Sequence, residues 1–123
     1  MATLVRLTNN ARTTLAVSVS AAATTIRVPA GHGARFPTIE EVGQWFPLVL
    51  EDDLGNIEIT HATARTGDAI TVKRGQELTP ARAYTAGDAC ELRLTVEALK
   101  GFGGGDDGLP LLMIENAIIE AAQ

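Results

Sequence analysis

Three charged side chains in one short stretch are the residues best placed for chemistry: Arg74, Glu77 and Arg82. They follow a run from Ala69 to Arg74 in which apolar and polar residues alternate, and a second alternating run around Cys90 follows them. Such runs predict half-buried β-strands. An arginine can pair with a carboxylate through two parallel hydrogen bonds, which fix geometry as well as energy. We therefore expect the three side chains to hold the connection between the two strands, in a structural role.

The other candidate carboxylates do not form a recognisable catalytic arrangement. They fall in predicted turns or on predicted solvated faces: Glu40, Glu41, Asp52, Asp53 and Glu58. Acid-base catalysis by carboxylates needs two of them placed around one bond, and nucleophilic catalysis needs a Ser/His/Asp or Cys/His arrangement. Neither pattern is identifiable in the sequence. The sequence therefore favours a protein that is not an enzyme and that uses no cofactor.

Oxygen-bearing side chains between Asp52 and Glu58 raise the question of a calcium site. Their spacing does not match the twelve-residue calcium loop with its terminal Glu. Asp, Gly and Asn are also the residues that tight turns require. We therefore interpret 52–56 as the turn of a β-hairpin and predict no metal site there.

The two histidines are far apart in the sequence. His32 lies between Gly31 and Gly33 in a predicted loop, where we expect it to be exposed to solvent. His61 is in register with the apolar side of a predicted strand, so we expect a hydrogen-bonded histidine at the edge of the core. A histidine without a Cys–His cluster is a poor metal site.

Alternating runs separated by turn residues predict that strands position these side chains. The predicted strands cover residues 13–20, 25–28, 44–51, 57–64, 69–74 and 90–94. Leu15, Val17 and Val19 share one face of the first strand, and Ile57 and Ile59 share the apolar face of the fourth. The predicted fold class is all-β, a small β-sandwich or barrel-like domain with a C-terminal helix after a Gly-rich linker.

Three local signals refine this prediction. Pro47 has no N–H for a ladder hydrogen bond, so its strand is expected to start late or to lie at an edge. Thr38 and Glu41 have the spacing of a capping box, which predicts a short helical turn. Residues 95–100 favour a short helix that ends at Gly101.

An ordered set of motifs runs through most of the chain. Its central part is Arg74-Gly75-Gln76-Glu77, Thr79-x-Ala81-Arg82-Ala83-Tyr84 and Ala86-Gly87-Asp88-x-x-Glu91-Leu92-Arg93-Leu94-Thr95. Upstream motifs are Thr8-Asn9-Asn10-Ala11, Thr13-Thr14-Leu15-Ala16, Ala23-Thr24-Thr25-Ile26-Arg27-Val28, Gly33-Ala34-Arg35-Phe36-Pro37 and Gly55-Asn56-Ile57-Glu58-Ile59. Together they resemble a small module of tailed-bacteriophage virion proteins, which occurs at the start of tail-fibre, collar or spike proteins and in phage-like particles. Leu78 stands where this module is expected to have a small residue such as Gly.

Composition limits the classes of partner and compartment. A chain of 123 residues predicts one domain, and the single cysteine allows no internal disulfide. A formal net charge of −5 argues against nucleic acid as the main partner, because binding phosphates needs a basic patch. The start of the sequence lacks the pattern of a signal peptide, and no apolar run approaches the ~20 residues of a transmembrane helix. We expect no membrane partner.

The sequence divides into three parts: a β-rich module at 1–100, a Gly/Asp linker at 101–108 and an apolar helix at 109–123. The polar residues of the last part are Glu115, Asn116, Glu120 and Gln123. A helix so apolar is not stable alone in water and needs a surface on which to dock. The predicted interface residues are Leu109, Leu111, Leu112, Ile114, Ile118 and Ile119.

The resemblance implies a virion structural protein, an adaptor that seats a fibre or spike on the tail, neck or collar. Its expected partners are other virion proteins and further copies of itself, a trimer being one option, and its expected location is the virion, assembled in the host cytoplasm. Two alternatives stay open at this point. One is a head decoration or stopper protein, and the other, less favoured, is a hydrolase of cell-wall polymer carried on the particle.

Overall fold

The computed structural model describes residues 4–103, and most of its regular structure is β. The strands are β1 (Leu4–Val5), β2 (Arg12–Thr14), β3 (Thr25–Arg27), β4 (Gln44–Glu51), β5 (Ile57–Thr66), β6 (Ala69–Gln76) and β7 (Ala89–Glu91). A 3₁₀ helix at His32–Arg35 follows β3, and one α-helix, α1 (Val96–Gly103), follows β7. None of the described helices is long and apolar enough to span a membrane.

The strands form one curled sheet that resembles half of a barrel. Six strands follow the order β2-β7-β4-β5-β6-β3, and all neighbours in this order are antiparallel. The seventh strand, β1, pairs with β4 in parallel. The prediction of a small all-β domain is therefore confirmed. The short helix at its end is α1, whereas the helix predicted at 109–123 lies outside the described residues.

Two long hairpins, β4–β5 and β5–β6, form the centre of the sheet. The first turn is the predicted one at 52–56, where the Asp52 carboxylate accepts hydrogen bonds from the N–H groups of Leu54 and Asn56. Asn56 Nδ2 donates to the same carboxylate at 2.9 Å. Asp and Asn therefore act here as turn residues. These hydrogen bonds, led by the side chain of Asn56, hold the pKa of Asp52 below its ordinary value.

The core fills the inner side of the curled sheet. Leu48 and Leu50 from β4 and Ile70 from β6 are fully buried, and the rings of Phe36 and Phe46 stack with their centres 5.8 Å apart. Because the central strand β4 is covered on both faces, its apolar residues form a continuous run instead of alternating with polar ones. The pattern of the sequence reflects this burial.

The strand predicted at 13–20 is shorter in the structure. β2 ends at Thr14, and the chain bends at Ala16 and Val17 before Val19 forms an isolated bridge with Tyr84. Val17 is consequently exposed, although it alternates with the buried residues Leu15 and Val19. The prediction of one strand with three inward residues was wrong because the bend turns the middle one outward.

The faces of β5 are reversed relative to the prediction. Glu58, Thr60 and Ala62 are fully buried, while Ile57 is exposed and Ile59 is half-buried. Register shifts occur along the β5–β6 pairing, between Ile59 and His61 and between Ala62 and Ala64. The face that looks apolar in the sequence is the outer face, because the inner face contains a buried ion pair.

Three local predictions were also wrong. Pro47 lies inside β4 and pairs with His61 of β5. Along β4, it follows the residues that pair with β1 and precedes those that pair with β7. Residues 38–41 form no helical turn, since the N–H groups of Glu40 and Glu41 donate to the Gln44 side chain. The helix near 95–100 continues through Gly101, where the absence of a side chain lets α1 pack on Val5.

Candidate functional site

Arg74 forms a buried ion pair, but its partner is Glu58 and not Glu77. Arg74 Nε and Nη2 donate to the two oxygens of the Glu58 carboxylate at 2.8 and 2.9 Å. The same carboxylate accepts the backbone N–H groups of Gly75 at 2.8 Å and Arg82 at 3.0 Å. The pair forms across β5 and β6, so it joins residues that are 16 positions apart in the sequence. Glu58, predicted on a solvated face, is therefore a core residue.

The remaining donors of Arg74 bind backbone carbonyls of two connections. Nη1 donates to Ser20 and Ala23 in the connection before β3, at 2.7 and 2.8 Å, and Nη2 also donates to the Arg82 carbonyl at 2.6 Å. One guanidinium thus links β5, β6 and two loops. This arrangement stabilises the fold and leaves no open position at which a substrate atom could bind the guanidinium.

The pKa of Glu58 results from opposing effects. Burial alone raises the pKa of the carboxyl, because the charged form loses its hydration. The hydrogen bonds from Arg74 and from the Gly75 and Arg82 backbones outweigh that effect and lower the pKa below its ordinary value of 4.5. Glu58 is therefore ionised at neutral pH, which suits a permanent ion pair and not a proton-transfer group.

Glu77 belongs to a second polar cluster on the outer side of the sheet. Its carboxylate lies 2.8 Å from His61 Nε2 and accepts a hydrogen bond from the Thr95 hydroxyl, also at 2.8 Å. It also accepts the backbone N–H of Glu97 at 3.3 Å, in the first turn of α1. The Trp45 ring lies against His61, with ring centres 4.1 Å apart. Glu77 therefore fixes the start of α1 on the sheet.

Arg82 makes the weakest side-chain contact of the three predicted residues. Its Nη2 lies 3.8 Å from the nearest Asp52 carboxylate oxygen, and the side chain is 41% exposed. Arg74, Glu77 and Arg82 thus do not form a single network of charged side chains: Arg74 and the Arg82 backbone meet at Glu58, while Glu77 serves α1. The sequence indicated that these residues shape the connection but not which partners they have.

The two histidines lie in different parts of the described structure. His32 lies in the 3₁₀ helix, half-buried, with Nδ1 at hydrogen-bonding distance from the Thr13 hydroxyl, so the prediction of an exposed loop residue was wrong. His61 is hydrogen-bonded as predicted, but it lies on the outer face of β5 and not on the core face. Within residues 4–103, no group of three His, Cys, Asp or Glu side chains is arranged to hold a metal ion.

An apolar groove of about 600 Å³ lies between the outer face of β5, the loop after β6 and the start of α1. We call it the apolar groove, and its apolar lining consists of Val49, Ile57, Ile59, Leu78, Leu94 and Val96. The exposed fraction of these side chains reaches 55% for Leu94, 54% for Val96 and 104% for Leu78. An exposed apolar groove is a candidate site for binding a protein partner.

Leu78 owes its position to an unusual backbone. Glu77 and Leu78 have φ angles of 54° and 69°, in the left-handed region that favours glycine. This conformation turns the chain so that Glu77 points toward α1 while the Leu78 side chain projects fully into solvent. Leu78, which stands where the module is expected to have a small residue, is thus an exposed apolar residue at the rim of the apolar groove.

Charged side chains border the groove without covering it. Arg93 donates to Glu51 at 2.6 Å and to Glu91 at 3.2 Å, and Lys100 lies 3.5 Å from Glu97 on α1. These contacts orient the charged groups toward one another. The apolar centre with a polar border is the usual composition of a protein–protein interface.

The sequence did not predict the groove, because Ile57, Ile59 and Leu94 belong to predicted strands whose apolar faces were expected to be buried. The strand predicted at 90–94 would place Leu94 on the same face as Cys90. However, β7 ends at Glu91, so the alternation no longer determines where Leu94 points. Ile57 was expected on the buried face of its strand, but the faces of β5 are reversed and Ile57 is exposed. The only available signal was Leu78, an apolar residue where a turn residue was expected. The predicted interface residues at 109–123 all lie outside the described residues.

Comparison with known proteins leaves the family open. No protein-family model matches the chain, and no curated protein matches it.

Proposed function

We propose that this chain is a structural protein of a tailed-bacteriophage particle, an adaptor that seats a fibre or spike on the tail, neck or collar. Two independent observations support the proposal. The ordered motifs between Leu7 and Thr95 resemble the virion module described above. The single observation that carries a binding role is the apolar groove, in which four exposed large apolar side chains lie together.

The groove has the chemistry of a protein-binding surface. Each exposed aliphatic side chain that a partner covers contributes about 25 cal/mol per Å² of apolar area removed from water. Four of the exposed large apolar residues lie in this one region: Ile57, Leu78, Leu94 and Val96. A partner that inserts its own aliphatic residues would remove them from water together, which favours a protein as the ligand over a small polar molecule.

The charged groups of the described domain support a binding role over catalysis. Glu58 and Arg74 satisfy each other in the core, and Glu77 is bound to His61 and Thr95. An acid or base in catalysis needs an accessible position beside the substrate. These carboxylates instead accept hydrogen bonds from the protein's own groups.

The proposed partners are other virion proteins and further copies of this chain, as a homo-oligomer in which a trimer is one option. The net charge of −5 fits contacts with proteins better than with nucleic acid. The proposed location is the virion, with assembly in the host cytoplasm.

The test is incorporation of a groove variant into particles. The variant Leu94→Asp/Val96→Asp places two carboxylates where a partner would cover apolar side chains, and the control Val17→Asp changes an exposed valine outside the groove. Burying uncompensated charges costs several kcal/mol, so incorporation should fall at least about tenfold for the double variant and stay unchanged for the control. Mass spectrometry of purified particles gives the amount of each protein, and circular dichroism of the isolated variants verifies their folding. Normal incorporation of the folded double variant would contradict a binding role for the groove.

A further inference from the structure

Two apolar parts of this chain favour contact with another apolar surface, and they lie close together along the sequence. One is the apolar groove, whose lining includes Val96 in the first turn of α1. The other is the segment 109–123, in which only Glu115, Asn116, Glu120 and Gln123 are polar. Exposure of both in the isolated protein would favour non-specific association.

The length of chain between them permits direct contact. The helical rise of about 1.5 Å per residue places Glu97 about 9 Å from Gly103, the last described residue. Six further steps lead from Gly103 to Leu109, and an extended chain covers roughly 20 Å in that number of residues. Leu109 can therefore reach the groove of its own chain. The intervening sequence Gly104-Gly105-Asp106-Asp107-Gly108 contains three glycines, which restrict the direction of the chain least.

We propose that the apolar groove binds the segment 109–123 of the same chain until a virion partner replaces it. This inference rests on the proposed function only in taking the groove as a protein-binding surface. A short tether gives the attached segment an effective concentration in the mM range. A second copy at ordinary micromolar concentration competes poorly with it. Leu111, Ile114 and Ile118 follow the three- and four-residue spacing that places side chains on one helical face, the pattern of helices that bind apolar grooves.

Docking of the segment onto its own domain has a functional consequence. The domain would circulate before assembly with its groove covered, and a partner that binds the groove would release the apolar segment at the site of assembly. The segment would then be free to contact a neighbouring subunit. The two apolar surfaces thus become available together, and only where a partner is present.

Photo-crosslinking within the full chain tests the proposal. A benzophenone amino acid replaces Leu94 in the groove, and in a control protein it replaces Val17, which is exposed outside the groove. Trypsin cuts after Arg93 and Lys100 and finds no later site, so it releases residues 94–100 and 101–123 as two peptides. We expect these two peptides to be joined after irradiation of the Leu94 protein, with the attachment point within 109–123. A missed cleavage at Lys100 is distinguishable because that product is lighter by one water.

Isotope mixing identifies which copy supplies the segment. Equal amounts of ¹⁵N-labelled and unlabelled protein are mixed before irradiation at micromolar concentration. Pairs in which both peptides carry the same label support docking within one chain. Pairs of mixed label in the statistical proportion would overturn it in favour of a second copy. Attachment only to 101–108, or equal capture from Leu94 and Val17, would overturn docking altogether.

The result of the crosslinking experiment can be distinguished from the result of the particle-incorporation experiment. If crosslinking to 109–123 fails while Leu94→Asp/Val96→Asp still prevents incorporation into particles, the groove binds a partner but not its own segment. If crosslinking succeeds while the variant enters particles normally, the groove binds the chain's own segment, and the proposal that a virion partner binds the groove is wrong. The benzophenone can also replace Ile57, which provides a second groove position if the Leu94 protein does not fold.

Discussion

Replacement of Glu58 should destabilise the domain more than replacement of any exposed carboxylate. Its carboxylate is fully buried and accepts four hydrogen bonds, two from Arg74 and one each from the N–H groups of Gly75 and Arg82. Glu58→Ala leaves a guanidinium without its counter-ion in a side chain that is 7% exposed. Removal of one partner from a buried ion pair costs about 3–5 kcal/mol. We therefore expect a loss of at least about 3 kcal/mol in the free energy of unfolding.

The conservative variant Glu58→Gln separates charge from shape. Its amide keeps one acceptor oxygen but presents an NH₂ group to donors on the other side, and each unsatisfied buried group costs about 1–3 kcal/mol. The expected loss is therefore about 2–3 kcal/mol, smaller than for Ala. Because a domain of this size is stabilised by only about 5–15 kcal/mol, Glu58→Gln is the variant to measure if Glu58→Ala does not fold.

Urea denaturation gives the assay. Trp45 is the only tryptophan, and its ring lies against His61, so its fluorescence reports on the centre of the sheet. The matched control is Glu40→Gln on the exposed surface, which should change the free energy of unfolding by no more than about 0.5 kcal/mol. Equal midpoints and slopes for the Glu58 and Glu40 variants would refute the account of the buried pair.

The same pair predicts a pH dependence with a definite sign. The pKa of Glu58 in the folded domain lies below its ordinary value of 4.5, so the folded state binds the proton less readily than the unfolded state. The stabilisation is therefore fully present above about pH 4.5 and is lost as the pH falls below that value. Glu58→Gln should lose less stability than the wild type between pH 5 and about pH 3. Asp52 and Asp68, whose pKa values are also lowered, are unchanged in both proteins and cancel from the comparison.

Three further predictions test other parts of the fold. Leu78→Gly should raise the free energy of unfolding by about 0.5–1 kcal/mol in urea denaturation. Glycine removes the strain of the left-handed backbone at this position, and this gain outweighs the added freedom of glycine in the unfolded chain. A loss of stability would contradict this prediction. Gly33→Ala should lower the free energy of unfolding by about 1–3 kcal/mol, because the added Cβ would overlap the Gly67 carbonyl. In the control Gly31→Ala, the added Cβ contacts no atom, so the only cost is the strain of the backbone at that position. Burial raises the pKa of the Cys90 thiol to about 12, so a thiol reagent should modify it only as the protein unfolds; rapid reaction in native buffer would show that the core opens locally.

The sequence predicted well those parts of the fold in which local pattern and environment agree. In β6, Ile70 and Val72 alternate with exposed residues and are buried, and residues 52–56 contain the side chains that their own turn needs. Each of these elements depends on neighbours only a few residues away. The all-β class followed from several such elements.

Predictions failed where a distant residue determines the environment. The orientation of β5 depends on Arg74, which compensates a buried Glu58 from another strand, and no rule of alternation contains that information. The alternating pattern around Cys90 predicts a strand that reaches Leu94, yet β7 ends three residues earlier. The apolar groove therefore required the three-dimensional arrangement of β5, the Leu78 loop and α1.

Electron microscopy of labelled particles tests the central claim most directly. Antibodies raised against the domain of residues 4–103, coupled to gold, are applied to purified phage particles, with an antibody against the major head protein as a positive control. We expect a few gold particles at the tail, neck or collar of each virion. Dense label over the head would indicate a decoration protein, and label absent from particles that the control antibody marks would contradict a structural role in the virion.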